Sequence, residues 1–199
     1  MISCILLSAG LSQRFGSSKA LAKFNSNQTI IRYLLEKLTS CLFLEIVVVL
    51  GHDKEAIMHD VFKHNLIHLV YNKDYKLGQT SSVIEGLKNC SKKSTGFLIL
   101  PIDCPFVTPE TIINLIKSFE ESKPDILIPS YNERRGHPPI FNNKIKELIL
   151  KMPLSQGINT LLNDPFNITL NITTSDPGVT QSFNTPEELK SILSYYNTK

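Results

Sequence analysis

The run Ile2-Ser3-Cys4-Ile5-Leu6, continuing into Leu7-Ser8-Ala9-Gly10-Leu11-Ser12-Gln13-Arg14-Phe15-Gly16-Ser17-Ser18-Lys19, decides the fold. Its first half is apolar enough for a strand buried on both faces, and its second half is a loop punctuated by glycine and carrying two cations. Gly10 and Gly16 let the backbone turn and approach an anion closely, while exposed N–H groups, Ser12, Arg14 and Lys19 offer donors and positive charge. That combination suits the triphosphate of a nucleotide. It is neither a Walker A loop, because two serines part Gly16 from Lys19, nor a dinucleotide fingerprint, because no Gly-x-Gly-x-x-Gly occurs.

Outward from this stretch, short apolar runs recur at 45–50, 67–71, 96–101 and 125–129, giving five strand candidates with the first at 2–7. Fully apolar strands of this length belong to a parallel sheet covered on both faces. Between them Ile30, Ile31, Leu34, Leu35 and Leu38 recur at helical spacing, as do Ile112, Ile113, Leu115, Ile116 and Phe119. The alternation predicts an α/β fold. Thr108-Pro109-Glu110 and Thr185-Pro186-Glu187 each place a hydroxyl cap before a proline and an acidic first turn, and Asp53 is a third candidate cap. In open α/β sheets ligands gather beyond the carboxyl ends of the strands, so the loops starting at Ser8, Gly51, Asn72, Ile102 and Ser130 should share one rim.

Two further elements of that rim carry chemistry. In Pro101-Ile102-Asp103-Cys104-Pro105-Phe106 a carboxylate stands at the tip of an apolar strand, where a hard oxygen ligand can hold Mg²⁺ together with substrate phosphates; the alternative is an Asp that caps the turn before Thr108. In Asn72 to Leu87, Gly78 precedes a serine-rich helix start whose hydroxyls and free N–H groups can grip a base or ribose, although Thr80 to Ser82 also suit plain capping. Past Ser130 the stretch Tyr131 to Phe141 turns polar, then rigid, then apolar, and reads as a hairpin or lobe leaving the main sheet. Ile145, Leu148, Ile149 and Met152 make one helix face, Ile158, Leu161 and Leu162 suggest another, and 167–173 alternates as a strand does. His137 between Gly136 and Pro138 can contact an acceptor or can fix its loop, whereas His59, His64 and His68 read as surface residues.

Bulk properties narrow the function classes. The chain has 199 residues, 42% hydrophobic and 20% charged, with no repeat or low-complexity tract, so one domain or two tightly joined lobes is expected and disorder only at Asn197-Thr198-Lys199. A net charge of +3 with dispersed basic residues argues against nucleic acid as a partner. Cys4, Cys41, Cys90 and Cys104 lie far apart with no Cys-x-x-Cys pair, as free thiols of a reducing cytosol do. The first segment has no cationic leader and no run approaches the length of a membrane span, so a cytoplasmic chain with no membrane partner is expected.

The pattern Ala-Gly-x-Ser-x-Arg-x-Gly-x-x-Lys from Ala9 to Lys19 resembles the MobA-like NTP transferase family, and within it most closely the molybdenum cofactor cytidylyltransferases. The likeness spans most of the chain and rests on Ala9, Gly10, Ser12, Arg14, Gly16, Lys19, Asn72, Gly78, Ser82, Asp103, Pro105, Phe106, Gly136, His137, Pro138 and Phe141. It implies a Rossmann-like three-layer sandwich of the GT-A-like nucleotidyltransferase kind, with a mostly parallel sheet and a small acceptor-binding lobe inserted after the fifth strand. A single domain would then comprise a nucleotide-binding part at 1–130, the acceptor lobe at 131–175 and a C-terminal return with a helix at 176–199. The implied activity transfers CMP from CTP to a phosphorylated acceptor, a molybdopterin-type cofactor destined for a molybdoenzyme, with release of pyrophosphate and Mg²⁺ as cofactor.

The resemblance also implies roles. Arg14, Lys19 and Asp103 would be catalytic; Ser8, Ala9, Gly10, Ser12, Arg14, Gly16, Lys19, Asn72, Gly78 and Ser82 would bind the nucleotide; Gly136, His137 and Pro138 would bind the acceptor; Asp103 and Asn184 would hold the metal. Ala9 stands where guanylyl-transferring relatives carry glycine, which implies cytidine. The chain departs from the pattern at Ser182 and Asn184, where the family carries carboxylates, and at Ser155 and Asn159, where an acid and an arginine are usual. Two alternatives follow: a sibling enzyme using GTP or another NTP with a different phosphate acceptor, and a catalytically weakened nucleotide-binding protein serving molybdoenzyme maturation.

Overall fold

The apolar runs become strands because β-branched and large apolar side chains can be buried on both faces of a sheet only when helices cover both faces. The computed structural model describes residues 1–197; Thr198 and Lys199, part of the tail expected to be disordered, lie outside the described residues, and the first residue of that tail, Asn197, closes a helix instead. The strands are β1 (Ser3–Ser8), β2 (Glu45–Leu50), β3 (Ile67–Tyr71), β4 (Gly96–Pro101), β5 (Ile126–Tyr131), β6 (Arg134–Arg135), β7 (Ile140–Asn142) and β8 (Thr169–Thr173). They form one sheet in the order β3-β2-β1-β4-β7-β5-β6, with β8 pairing β5. The pairings β3–β2, β2–β1, β1–β4 and β5–β8 are parallel, and only β6 and β7 run antiparallel to their neighbours.

The helices are α1 (Ile30–Thr39), α2 (Lys54–Asp60), α3 (Gln79–Asn89), α4 (Pro109–Ser122), α5 (Lys146–Leu150) and α6 (Pro186–Asn197). Alternate residues of the central strands feed two cores. Cys4, Leu6, Val48, Leu98 and Leu100 pack against α1 and α4, while Ile5, Leu7, Val47, Val49 and Ile99 pack against α3 and α5. The result is the three-layer α/β sandwich that the sequence predicts.

Caps fall largely where hydroxyl chemistry puts them. Thr108 Oγ1 accepts from Thr111 N at 3.3 Å and Thr185 Oγ1 from Glu188 N at 3.2 Å. Asp53 occupies the third cap position but in the left-handed region, φ 55°, and its carboxylate pairs with His52 Nδ1 at 2.9 Å instead of capping α2. The stretch after Ser130 is a hairpin, as expected, with Asn132 and Glu133 both at positive φ, but it does not leave the sheet. β7 turns back and inserts antiparallel between β4 and β5, because Ile140 and Phe141 are apolar enough to be buried at the sheet's centre. Leu148 is also corrected: it is exposed, and only Ile145, Ile149 and Met152 of its predicted face are buried.

Candidate active site

The loop after β1 is built by two residues with positive φ, Ser12 at 50° and Gly16 at 76°. Together they close a tight turn in which Phe15 N and Gly16 N donate to the Ser12 carbonyl at 2.9 and 3.1 Å. Phe15 is driven into the core, edge-on to Phe183 at 5.5 Å, and this leaves Arg14 on the exposed side. Ser12 Oγ accepts from Lys19 N, tying the far end of the loop to its middle. Gly16 therefore shapes the loop and does not line the cavity beside it.

That cavity, about 400 Å³, lies where the rim was expected. Ser8, Ala9, Gly10, Ser12, Lys19, Gly78, Ser82 and Asp103 line it together with Leu11, Tyr75, Lys76 and Gln79. A contiguous depression holds Arg14, Lys19, Asp103 and Asn184. Lys19, only 9% exposed, donates from Nζ to Asp103 Oδ2 at 2.9 Å, to the Phe183 carbonyl at 2.8 Å and to Asn184 Oδ1 at 3.1 Å. Arg14 Nη2 reaches the same Asn184 oxygen at 3.0 Å. The residues that the sequence separates by 84, 165 and 170 positions thus converge on one point.

Asp103 owes its place to the end of β4 and to a buried lysine. Ile102 N donates to the Leu7 carbonyl at 3.0 Å, and Phe183 N to the Asp103 carbonyl at 3.1 Å, so both chain directions are pinned. Lys37 of α1 donates to the carbonyls of Pro105 and, at 2.8 Å, Val107, holding the turn that follows. Burial pulls the Lys37 ammonium down to about 8, against the opposing pull of Cys41 and Asp176. The helix after this turn is capped by Thr108, whose N–H and hydroxyl are both held by Asp176 Oδ2, so Asp103 is not a cap. Asp103 and Asn184 are hard oxygen donors facing one depression, which fits a divalent cation; among the described residues no cluster of three His, Cys, Asp or Glu exists to hold one without further ligands.

Besides Gly16, two expected contacts, Asn72 and Pro138, sit elsewhere. Asn72 does not line the cavity: it is buried beneath it, donating to Ser81 Oγ at 2.9 Å and Ser82 Oγ at 3.0 Å and accepting from Asp74 N, so it positions the start of α3. Pro138, in a cis peptide after His137, is buried, and Pro139 takes the position facing the ligand space. Ala9 lines the cavity but is 3% exposed, its Cβ turned against Gly51. A Cβ on Gly51 would lie 2.5 Å from the Ala9 carbonyl and 2.7 Å from Tyr75 Cβ, so this glycine lets the loop after β2 pack against the loop after β1. Sequence reasoning placed Gly51 on the rim and passed over its role, and it passed over Lys37, Asp176, Tyr75, Lys76 and Gln79; a glycine directly after an apolar strand was the one signal present.

A second cavity of about 300 Å³ adjoins the first, with Gln79 and Pro101 lining both. Val83, Ile99, Ile128, Phe141 and Leu162 make it carbon-rich, while Arg135, Gly136, His137 and Asn159 supply its polar edge. The His137 backbone N–H donates to the Val179 carbonyl at 2.7 Å, but its ring Nδ1 is buried without a partner. Burial pushes this imidazole below the usual histidine range against the opposing pull of Asp103, so it is neutral at neutral pH. His59, His64 and His68 are exposed, as expected.

The MobA-like NTP transferase domain matches residues 4–169 of this sequence. The chain belongs to the MobA-like NTP transferase family. Among curated relatives, a protein named "Probable molybdenum cofactor guanylyltransferase" from Bacillus cereus is 29% identical over 150 residues, covering 73% of this chain and 70% of its own. Among solved structures, Rv0371c of Mycobacterium tuberculosis, described in complex with manganese, superposes with a TM-score of 0.80 at 18% identity, covering 97% of this chain and 98% of its own. A 4-diphosphocytidyl-2C-methyl-D-erythritol synthase from Anaerococcus prevotii superposes with a TM-score of 0.74 at 18% identity over 99% and 96% of the two chains. These structural likenesses establish the nucleotidyltransferase fold. A MobA-like NTP transferase is a nucleotidyltransferase, and enzymes of this kind use a divalent metal. No helix among the described residues is long and apolar enough to cross a membrane.

Proposed function

We propose that this nucleotidyltransferase transfers CMP from CTP to a phosphorylated acceptor of the molybdopterin type, with Mg²⁺, and releases pyrophosphate. The observation that carries the reading is the convergence of Arg14, Lys19 and Asp103 at the edge of a cavity walled by the Gly10 loop. An oxygen of the acceptor's phosphate attacks the α-phosphorus, the bond from that phosphorus to the bridging oxygen of the β-phosphate breaks, and pyrophosphate departs. The nucleophile is already an anion at neutral pH, with a second pKa near about 6, so no protein base is needed. Arg14 and Lys19 neutralise the departing pyrophosphate, Ser12 and the Gly10 backbone orient the triphosphate, and a metal on Asp103 would supply further charge neutralisation at the transferring phosphate.

The cytidine preference is supported by the chemistry of the cavity wall. Guanine presents two adjacent donors on its pairing edge, which a free carboxylate accepts best, and among the described residues the one carboxylate lining this cavity, Asp103, is reserved in this reading for the metal. GTP is the second reading, favoured by the guanylyltransferase name of the Bacillus cereus relative. The adjoining cavity with the unpartnered His137 Nδ1 is our acceptor subsite, with Gly136 and Pro139 shaping its wall. Thermal unfolding with Mg²⁺ and either nucleotide tests the assignment: a ligand at a hundred times its Kd stabilises by about 2.7 kcal/mol. CTP is expected to raise Tm more than GTP; a larger shift with GTP reverses the base assignment, and no shift with either overturns the function.

A further inference from the structure

A protonated lysine has three donors, and all those of Lys19 are matched to oxygen: Asp103 Oδ2, the Phe183 carbonyl and Asn184 Oδ1, at 2.8 to 3.1 Å. These acceptors are hard oxygens, one a carboxylate, one an amide and one a backbone carbonyl, which is the donor chemistry a divalent cation requires. The geometry points to a single cation position in this site: the Lys19 ammonium fills it in the nucleotide-free chain, and a divalent ion takes it only after a polyphosphate has drawn Lys19 away. Metal and nucleotide therefore bind as a pair, and metal alone does not bind. This rests on the nucleotidyltransferase reading above and adds the order of assembly.

Charge decides the matter. A divalent ion held by either oxygen of Asp103 would share that one carboxylate with an ammonium already 2.9 Å from Oδ2, and a double positive charge would then stand against a single one at close range. Asn184 stands where the family carries a carboxylate, so the three acceptors hold one negative charge, which one ammonium balances. Arg14 on the same Asn184 oxygen adds a further positive charge. A triphosphate reverses this balance. Lys19 lines both the cavity beside the Gly10 loop and the depression around Arg14, so its ammonium can turn toward phosphates in the former without leaving the site.

Manganese binding to the full chain, followed by the paramagnetic enhancement of water proton relaxation, tests this without turnover. The wild type is expected to show no saturable Mn²⁺ site below about 1 mM in the absence of nucleotide and a saturable one once CTP or GTP is added. Lys19→Gln, which keeps a donor for the Phe183 carbonyl but removes the charge, is expected to bind Mn²⁺ without nucleotide at least about tenfold more tightly, and Lys19→Gln with Asp103→Asn to lose that binding. The wild-type comparison stands whether or not the variants fold. Wild-type binding of Mn²⁺ that is equally tight with and without nucleotide overturns the inference, as does a folded Lys19→Gln whose nucleotide-free binding is unchanged. If the nucleotides raise Tm while Mn²⁺ binds alone, the order of assembly falls and the transferase assignment stands; if neither nucleotide raises Tm, it is the assignment that falls.

Discussion

At the residue scale, the site turns on what one amide oxygen and one carboxylate do. Asn184 Oδ1 accepts from both Lys19 and Arg14, so it gathers the two cations that a triphosphate would meet. Asp103 pairs one oxygen with Lys19 and accepts at the other from Cys104 Sγ at 3.7 Å, with its side chain 27% exposed. Asp103→Asn keeps an oxygen for Lys19 and removes the charge that a metal needs. The expected outcome is a fall in metal-dependent transfer of about 10² to 10³ in kcat with Tm nearly unchanged, measured by pyrophosphate release and thermal unfolding. Full activity in this variant would remove Asp103 from the chemistry. Lys19, Arg14, Asp103 and Asn184 were all legible in the sequence as charged or polar residues of a motif, but the pairing of Lys19 with Asp103 was not, because residues far apart in the chain give no local signal of contact. Asn72 shows the converse: its motif position suggested a ligand contact, and folding spends its amide on Ser81 and Ser82.

At the scale of elements, the loop after β1 is only as well placed as the loop beneath it. The β2 strand is followed by Gly51-His52, and the His52 N–H donates to the Ala9 carbonyl at 3.2 Å, so the loops leaving the two strands are stitched together. Gly51→Ala would bring a methyl group within 2.5 Å of that carbonyl, which is backbone and cannot swing aside. We expect a loss of about 1 to 3 kcal/mol in denaturant unfolding and a weaker response of Tm to nucleotide than in the wild type. An unchanged nucleotide response would show that the loop after β1 holds its shape independently of β2. Strand and helix positions were readable from apolar periodicity, since each element buries its own apolar residues. The insertion of β7 between β4 and β5 was not, since an apolar three-residue strand fits many neighbours and only the space left between those two strands selects one.

At the scale of the whole molecule, the layers are joined across the site by a buried charge. Lys37 reaches from α1 to the turn that follows Asp103, and burial lowers its ammonium from 10.5 to about 8. The unfolded chain therefore holds this proton more firmly than the folded one, so the cost of the buried charge is fully present below pH 8 and disappears as the pH rises toward 10.5. That cost is about 3 kcal/mol at its fullest. Urea unfolding of the wild type and of Lys37→Met should show the wild type gaining on the variant as the pH is raised through this window, and a difference that stays constant would contradict it. The four cysteines, all free and buried, fit the same picture: burial pushes the Cys41 thiol up to about 11 and the Cys90 thiol up to about 12, so they pack as small apolar side chains.

The sequence by itself determined the alternation of strands and helices, the glycine-punctuated turn after the first strand and the family, because periodicity, glycine placement and capping are local properties that each segment carries alone. Tertiary structure decided which oxygens Lys19 satisfies, which strand lies between β4 and β5, and that Gly51 and Lys37 support a site they do not line. These are properties of the space between elements: a buried donor must find an acceptor, and which one it finds depends on what packing brings within about 3 Å of it.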